Sequence, residues 1–217
     1  MKNENVVELI SIRKSFGEKM LFDGLTFSIP AAAITGIIGA NGVGKSILLH
    51  MICGLVKPNS GRISVFGKCI GSDVDFPPRT GALIDEPGFL PDLSAYSNLK
   101  LLADISGKAS PNRILEVLSI VGLQRERDQA VRTFSAGMRK RLGIAQAILE
   151  KPALLLLDEP TDSIDQAGWR GIYEYLIELK EEGTTILLTS NKQDEINILC
   201  DQAFLLENRN LSPITIR

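Results

Sequence analysis

The chain has 217 residues, enough for one α/β domain with a full core. Its net charge of −2 gives no global basic field, so nucleic acid is not an expected partner. The apolar content of 44% fits a soluble globular protein, and the longest apolar runs are far too short to cross a bilayer, so any membrane role has to come through a partner.

The stretch Met1–Glu8 is polar and then strand-like, without the basic-then-apolar order of a signal peptide. Val6–Ile12 is β-prone. Leu25–Ile29 alternates apolar and polar residues, the period of a half-buried strand. Ile34–Ile38 is more continuously apolar and runs into glycine, which suits a buried parallel strand. Lys45–Cys53 reads as a helix stopped by Gly54 and Pro58, and Arg62–Phe66 as another strand. From Pro87 to Glu150 the pattern turns helical, with apolar residues at helical spacing over Ser97–Ile105, Pro111–Val121 and Gly137–Leu149. Ala153–Leu157 is a buried strand again. Gln166–Glu182 is a helix, Thr184–Leu188 a strand, Asp194–Cys200 a helix and Ala203–Leu206 the last strand. Strands alternating with helices imply a parallel sheet, and the long helical block reads as an insertion on one edge. Cys53, Cys69 and Cys200 make no metal-ligand spacing and read as free thiols in a reducing cytosol.

Gly39-Ala40-Asn41-Gly42-Val43-Gly44-Lys45-Ser46 fits the phosphate-loop pattern G-x-x-x-x-G-K-[ST], with an apolar strand before it and a helix after. The glycines allow the backbone to wrap phosphates, and the N–H groups at the helix start supply partial positive charge. Lys45 is expected to reach the β- and γ-phosphates of a bound ATP, and Ser46 to ligate Mg²⁺. Asp158 ends the run Leu154–Leu157, at the carboxyl end of a buried strand where such sheets bind ligands; it is a second candidate for Mg²⁺. Glu159 follows and is placed to polarise an attacking water. Taken alone, two acids at a strand end are equally well solvated surface groups; the phosphate loop is what favours the catalytic reading.

Phe134-Ser135-Ala136-Gly137-Met138 precedes a helix, and Met138 lies twenty residues ahead of Asp158. With the two motifs above, it resembles the signature loop of the ATP-binding cassette (ABC) family, over nearly the whole chain from Val6 to Leu211. The resemblance implies an α/β fold: a RecA-like P-loop NTPase core, an antiparallel β-subdomain and an inserted helical subdomain at about residues 87–150, all in one ATP-binding domain spanning 1–217. It also implies a head-to-tail dimer, of two copies or of this chain with a related cassette, in which Ser135 and Gly137 of one subunit cap the γ-phosphate held by the other. Read by itself, Ser135 is a helix N-cap. Phe16 resembles the aromatic that stacks on adenine, although a phenylalanine ending a strand otherwise reads as core. Asp165, in Thr161-Asp162-Ser163-Ile164-Asp165, resembles the loop that crosses the dimer interface.

Four positions depart from the family pattern. Where the family carries a Q-loop glutamine, Asp85 stands, with Glu86 the alternative in a register slipped by one. Asp85 is thereby a candidate for catalysis and for Mg²⁺. Asn191 occupies the place of the switch histidine. The one histidine, His50, reads as a partly exposed surface residue rather than a substitute. Ala136 replaces a signature glycine, tolerable at negative φ, and Ala32 replaces a turn glycine, which strains that turn. The acidic loop followed by Pro87-Gly88-Phe89 resembles the branch that exports bacitracin-type and lantibiotic-type peptides and confers self-immunity.

The resemblance therefore implies an ATPase subunit, cytoplasmic and peripheral on the inner face of the cell membrane, that energises an exporter through a separate integral-membrane permease. Asp85 and Asn191 lead to an expectation of slow hydrolysis. Two other readings stand beside it: a regulatory cassette that binds ATP with weak hydrolysis, and a soluble ABC ATPase of the DNA-repair or ribosome-associated kind. The second is weakened by the acidic charge and by the lack of a coiled-coil insertion or second cassette. An importer is a further possibility, against which the Pro87-Gly88-Phe89 segment weighs.

Overall fold

A computed structural model describes residues 5–216, so Met1–Glu4 of the polar N-terminal stretch lie outside the described residues. The first strands, β1 (Asn5–Phe16) and β2 (Lys19–Pro30), pair as an antiparallel hairpin that closes at Phe16 and Lys19. Along β2, Leu25, Phe27 and Ile29 are buried and Thr26 and Ser28 are exposed, which is the alternation of a one-sided sheet. Two further strands, β4 (Ser60–Val65) and β5 (Lys68–Cys69), complete a four-stranded antiparallel sheet in the order β2-β1-β4-β5.

The second sheet has six strands. They are β3 (Ile34–Ile38), β6 (Thr80–Leu83), β7 (Leu154–Asp158), β8 (Thr185–Ser190), β9 (Gln202–Glu207) and β10 (Asn210–Ile214), in the order β10-β9-β3-β8-β7-β6. All neighbours pair in parallel except β10, which runs antiparallel to β9. Every residue of β7 and β8 is buried, which explains their unbroken apolar composition. Successive leucines of β7 serve opposite faces. Leu154 and Leu156 join a core with Phe22, Ile37 and Leu49 beneath the antiparallel sheet. Leu155 and Leu157 join a core with Leu99, Leu118, Leu142 and Leu176 beneath the helices.

Between the edge strand β6 and β7 lie α2 (Ala95–Ser106), α3 (Pro111–Ile120) and α4 (Ala136–Ile148). The remaining helices are α1 (Lys45–Ile52), α5 (Gln166–Glu181) and α6 (Gln193–Leu199). Arg113, 7% exposed, fastens this helical layer to the core. Its guanidinium donates to the carbonyls of Ile148 and Leu149 at the end of α4 and to the Tyr175 hydroxyl on α5. A cation there also meets the negative end of the α4 dipole. Asn98, also buried, pins the loop before α2 by accepting from Leu90 N–H and donating to the Leu90 and Ser94 carbonyls.

Three strands were not expected from sequence. β6 is Thr-Gly-Ala-Leu, short and poor in β-branched residues, and it is held by its pairing with β7. β5 has only two residues. Ala203–Leu206 is not the last strand, because β10 follows; it contains Pro213, which an edge strand tolerates. The alanine at the turn before β3 does carry the expected strain, with Ala32 at φ 52°. Ala136 is the first residue of α4 and has ordinary helical geometry.

Candidate active site

The phosphate loop leaves the carboxyl end of β3 and enters α1. Gly44 is the N-cap of α1 at φ 117°, and a side chain there would meet the Phe22 ring as well as a strained backbone. No side chain caps the helix, so the first N–H groups of α1 are available to an anion. Lys45 is 5% exposed. Its ammonium donates to the Gly39 carbonyl at 2.7 Å and the Ala40 carbonyl at 3.3 Å, and lies 3.0 Å from Glu159 Oε1. The lysine charge is thus held at the mouth of the loop by groups that a phosphate can displace.

Asp158 and Glu159 leave the adjacent strand but one, β7. Asp158 is 8% exposed. Glu159 sits at φ 44°, a left-handed turn that swings its side chain toward Lys45. Both are braced by Thr189 of β8, which is fully buried: its hydroxyl donates to Asp158 Oδ1 and accepts from Glu159 N–H at 3.1 Å. Glu195 on α6 accepts from the hydroxyls of Thr161 and Ser190, tying the loops that follow β7 and β8 to one another.

These residues share one cavity of about 440 Å³, lined by Phe16, Asn41, Gly42, Gly44, Lys45, Ser46, Asp158 and Glu159. Phe16 is not core: it is 49% exposed at the cavity rim, with Lys14 Nζ 4.5 Å from its ring centroid. Gly39 begins the loop, and its carbonyl anchors Lys45. Asn191 donates to Asn41 Oδ1 at 3.3 Å, so the switch position touches the phosphate loop from outside. The donor set fits its expected occupants. Open N–H groups and a buried lysine suit phosphate, and Ser46 with Asp158 offers hard oxygen ligands to a divalent cation.

Ser135, Gly137 and Asp85 are not in this cavity. Ser135 caps α4, its hydroxyl accepting from Met138 N–H at 3.2 Å, and it is exposed. Gly137 packs so closely on the loop after β7 that a Cβ would lie 2.3 Å from the Ser163 carbonyl oxygen. Asp165 caps α5 by accepting from Gly168 N–H. Asp85 is exposed at φ 59°, with its carboxylate 2.9 Å from His50 Nε2. His50 is partly exposed, as expected, but the contact with Asp85 was not foreseen.

Two further residues escaped the sequence reading. Thr189 lies just past the expected strand Thr184–Leu188, and nothing local reveals that it braces both acids. Lys140, on α4, donates to the Asp158 main-chain carbonyl at 2.8 Å. Burial pulls its ammonium below the ordinary lysine range, while Asp158, Asp162, Glu159 and Glu86 pull it back up. It carries a positive charge from the signature helix to the end of β7.

Comparison with known proteins agrees with this geometry. The family model described as ABC transporter matches residues 22–162. An uncharacterized ABC transporter ATP-binding protein of Bacillus subtilis, YybJ, is 38% identical, over 95% of this chain and 94% of its own length. The bacitracin transport ATP-binding protein BcrA of Bacillus licheniformis is 37% identical, over 95% of this chain and 68% of its own. The lantibiotic transport ATP-binding protein SrtF of Streptococcus pyogenes is 35% identical, over 90% of this chain and 84% of its own. Among solved structures, the ATP-binding subunit of an ABC transporter superposes with a TM-score of 0.88 at 24% identity, covering 97% of this chain and 90% of that one. The matching family model and these relatives, with the phosphate loop, the signature turn and the paired acids at the end of β7 following one another in that order in one fold, make the chain a member of the ABC transporter family, an ATP-binding cassette.

Proposed function

We propose that this chain binds MgATP in the cavity at the phosphate loop and hydrolyses it to drive a membrane exporter. The observation that carries the reading is the convergence of Lys45 and Ser46 from one segment and Asp158 and Glu159 from another on one cavity. The loop Gly39–Ser46 cradles the phosphates through its N–H groups, and Phe16 stacks on the adenine. On ATP binding, Lys45 exchanges the Gly39 carbonyl and Glu159 for phosphate oxygens. Ser46 and Asp158 would hold Mg²⁺, which would supply charge neutralisation on the phosphates. Glu159, released from Lys45, accepts a proton from the attacking water. Asn191 would donate to the γ-phosphate, and Asp85 would be a further oxygen ligand for the cation.

Ser135 and Gly137 point to a second cassette, either an identical copy or a related chain. Both lie at the start of α4 and outside the cavity, Ser135 exposed and Gly137 partly buried, a placement that supports their completing another subunit's site. One cassette of residues 1–217 then carries its helical part at about 87–150. No helix of the described residues is long and apolar enough to cross a membrane, and the transport names of the relatives support an integral-membrane permease as the partner. The chain docks on it from the cytoplasmic side through Leu90, which is 51% exposed in the loop pinned by Asn98. Likeness to the bacitracin and lantibiotic transport proteins supports a peptide-antibiotic cargo.

Hydrolysis is slow without the partner. Asparagine at 191 offers one amide donor where an imidazole would reach further, and a lost donor to developing charge costs about 10²–10³ in rate when complete. The test is steady-state ATPase on wild type, Asn191→His and Glu159→Gln. The histidine variant is expected to be faster and the glutamine variant close to background. A Glu159→Gln rate equal to wild type would reject this chain as the hydrolase and leave a regulatory cassette.

A further inference from the structure

The contact between His50 and Asp85 joins two segments that the reaction must coordinate. His50 stands on α1, and its side chain is only 17% exposed; that of Asp85 is 65% exposed. Asp85 holds a left-handed backbone that non-glycine residues seldom adopt, in the loop that leads from β6 to the helical layer. Its carboxylate does not line the nucleotide cavity. It lines a second cavity of about 450 Å³ with Glu86, Pro87, Arg139 and Lys140, at the base of the signature helix.

Helix geometry places the two sites side by side. Ser46 and His50 are four residues apart on α1, so they share one face of the helix, about 6 Å apart along its axis. A carboxylate that touches His50 is therefore one helical turn from the cation position at Ser46. The imidazole engages Asp85 Oδ2, and a carboxylate oxygen so engaged is a poorer ligand for a divalent cation.

We propose that His50 is a positioning residue that holds the Asp85 carboxylate off the cation site until Mg²⁺ and ATP compete it away. The inference rests on the reading of the cavity as an MgATP site. Closure of the acidic loop onto the nucleotide then requires release of the imidazole, and the loop that leads to the helical layer and the permease stays parked without nucleotide.

The test measures binding rather than turnover. In the full chain carrying Glu159→Gln, ATP affinity is titrated by calorimetry against Mg²⁺ concentration. His50→Ala is expected to lower the Mg²⁺ needed for half-maximal effect by about two- to five-fold, the worth of a partly exposed polar contact. ATP affinity in excess chelator should not change. His50→Gln, which keeps a donor, should fall between. With Asp85→Ala already present, His50→Ala should have no further effect. Should His50→Ala not fold, as judged by circular dichroism, His50→Leu takes its place. A Mg²⁺ requirement unchanged by His50 substitution overturns the proposal while leaving the MgATP reading intact. So does an equal shift in the Asp85→Ala background. ATP binding that never depends on Mg²⁺ overturns the cation site itself, and this proposal with it.

Discussion

Replacing Thr189 with valine isolates the brace behind the two acids. Valine keeps the shape and β-branching of threonine, so β8 loses no packing and the perturbation is the hydroxyl alone. In the fold that hydroxyl is fully buried, donates to Asp158 and accepts from the Glu159 N–H. A hydrogen bond to a charged group is worth about 1.5–3 kcal/mol, and leaving an N–H without an acceptor adds about 1–3 kcal/mol when it is buried. Asp158 is 8% exposed and Glu159 more so, which puts the combined loss near 3 kcal/mol. For a chain of this size, that lowers Tm by about 6–12 °C. Freed from its tether, Glu159 no longer holds its left-handed turn beside Lys45, and ATPase should fall by about tenfold, equivalent to ~1.4 kcal/mol. Differential scanning calorimetry and a coupled ATPase assay read the two effects. A variant that melts within about 2 °C of wild type and turns over at the wild-type rate would refute the brace.

Lys45→Ala should remove most of the γ-phosphate-dependent affinity, so calorimetry with MgATP should show a large loss; equal affinity would reject the phosphate-loop assignment. Leu90→Asp should leave the chain folded and ATP-binding, because Leu90 is half exposed, yet abolish co-purification with the permease; Phe89→Asp is the less clean choice, since Phe89 packs against the helical core. Burial pushes the thiols of Cys53 and Cys200 up to about 12, so little thiolate forms at pH 8 and Cys69 should be the first to react with a thiol reagent. Mass spectrometry showing Cys53 modified as fast as Cys69 would contradict the packing.

Much of this was legible because it is written locally. The phosphate loop needs its glycines, lysine and serine in a fixed order. The β7 acids follow an apolar run whose burial needs no knowledge of the rest of the chain. Helix positions were read to within two residues, α1 ending at Ile52 with Cys53 as its C-cap rather than its last residue. What escaped is non-local. Thr80–Leu83 has no strand pattern of its own and exists because β7 pairs with it. His50 and Asp85 are separated by 35 positions in sequence, and only the crossing of α1 by the acidic loop makes them neighbours. Lys140 reads as one of several basic residues on a helix until the first turns of α4 are seen to lie against the end of β7. Phe16 was ambiguous in sequence because a strand-end aromatic packs as readily as it projects; its exposure decides the matter.

In the proposed cycle this cassette completes its site with Ser135 and Gly137 of a second cassette across bound ATP. The most direct measurement is light scattering of the Glu159→Gln chain at saturating MgATP, with and without Ser135→Arg. A dimer should form only with MgATP, because the nucleotide bridges the halves until it is cleaved, and it should vanish when arginine replaces the exposed serine at the start of α4. A dimer that forms equally well without nucleotide, or that survives Ser135→Arg unchanged, would contradict it.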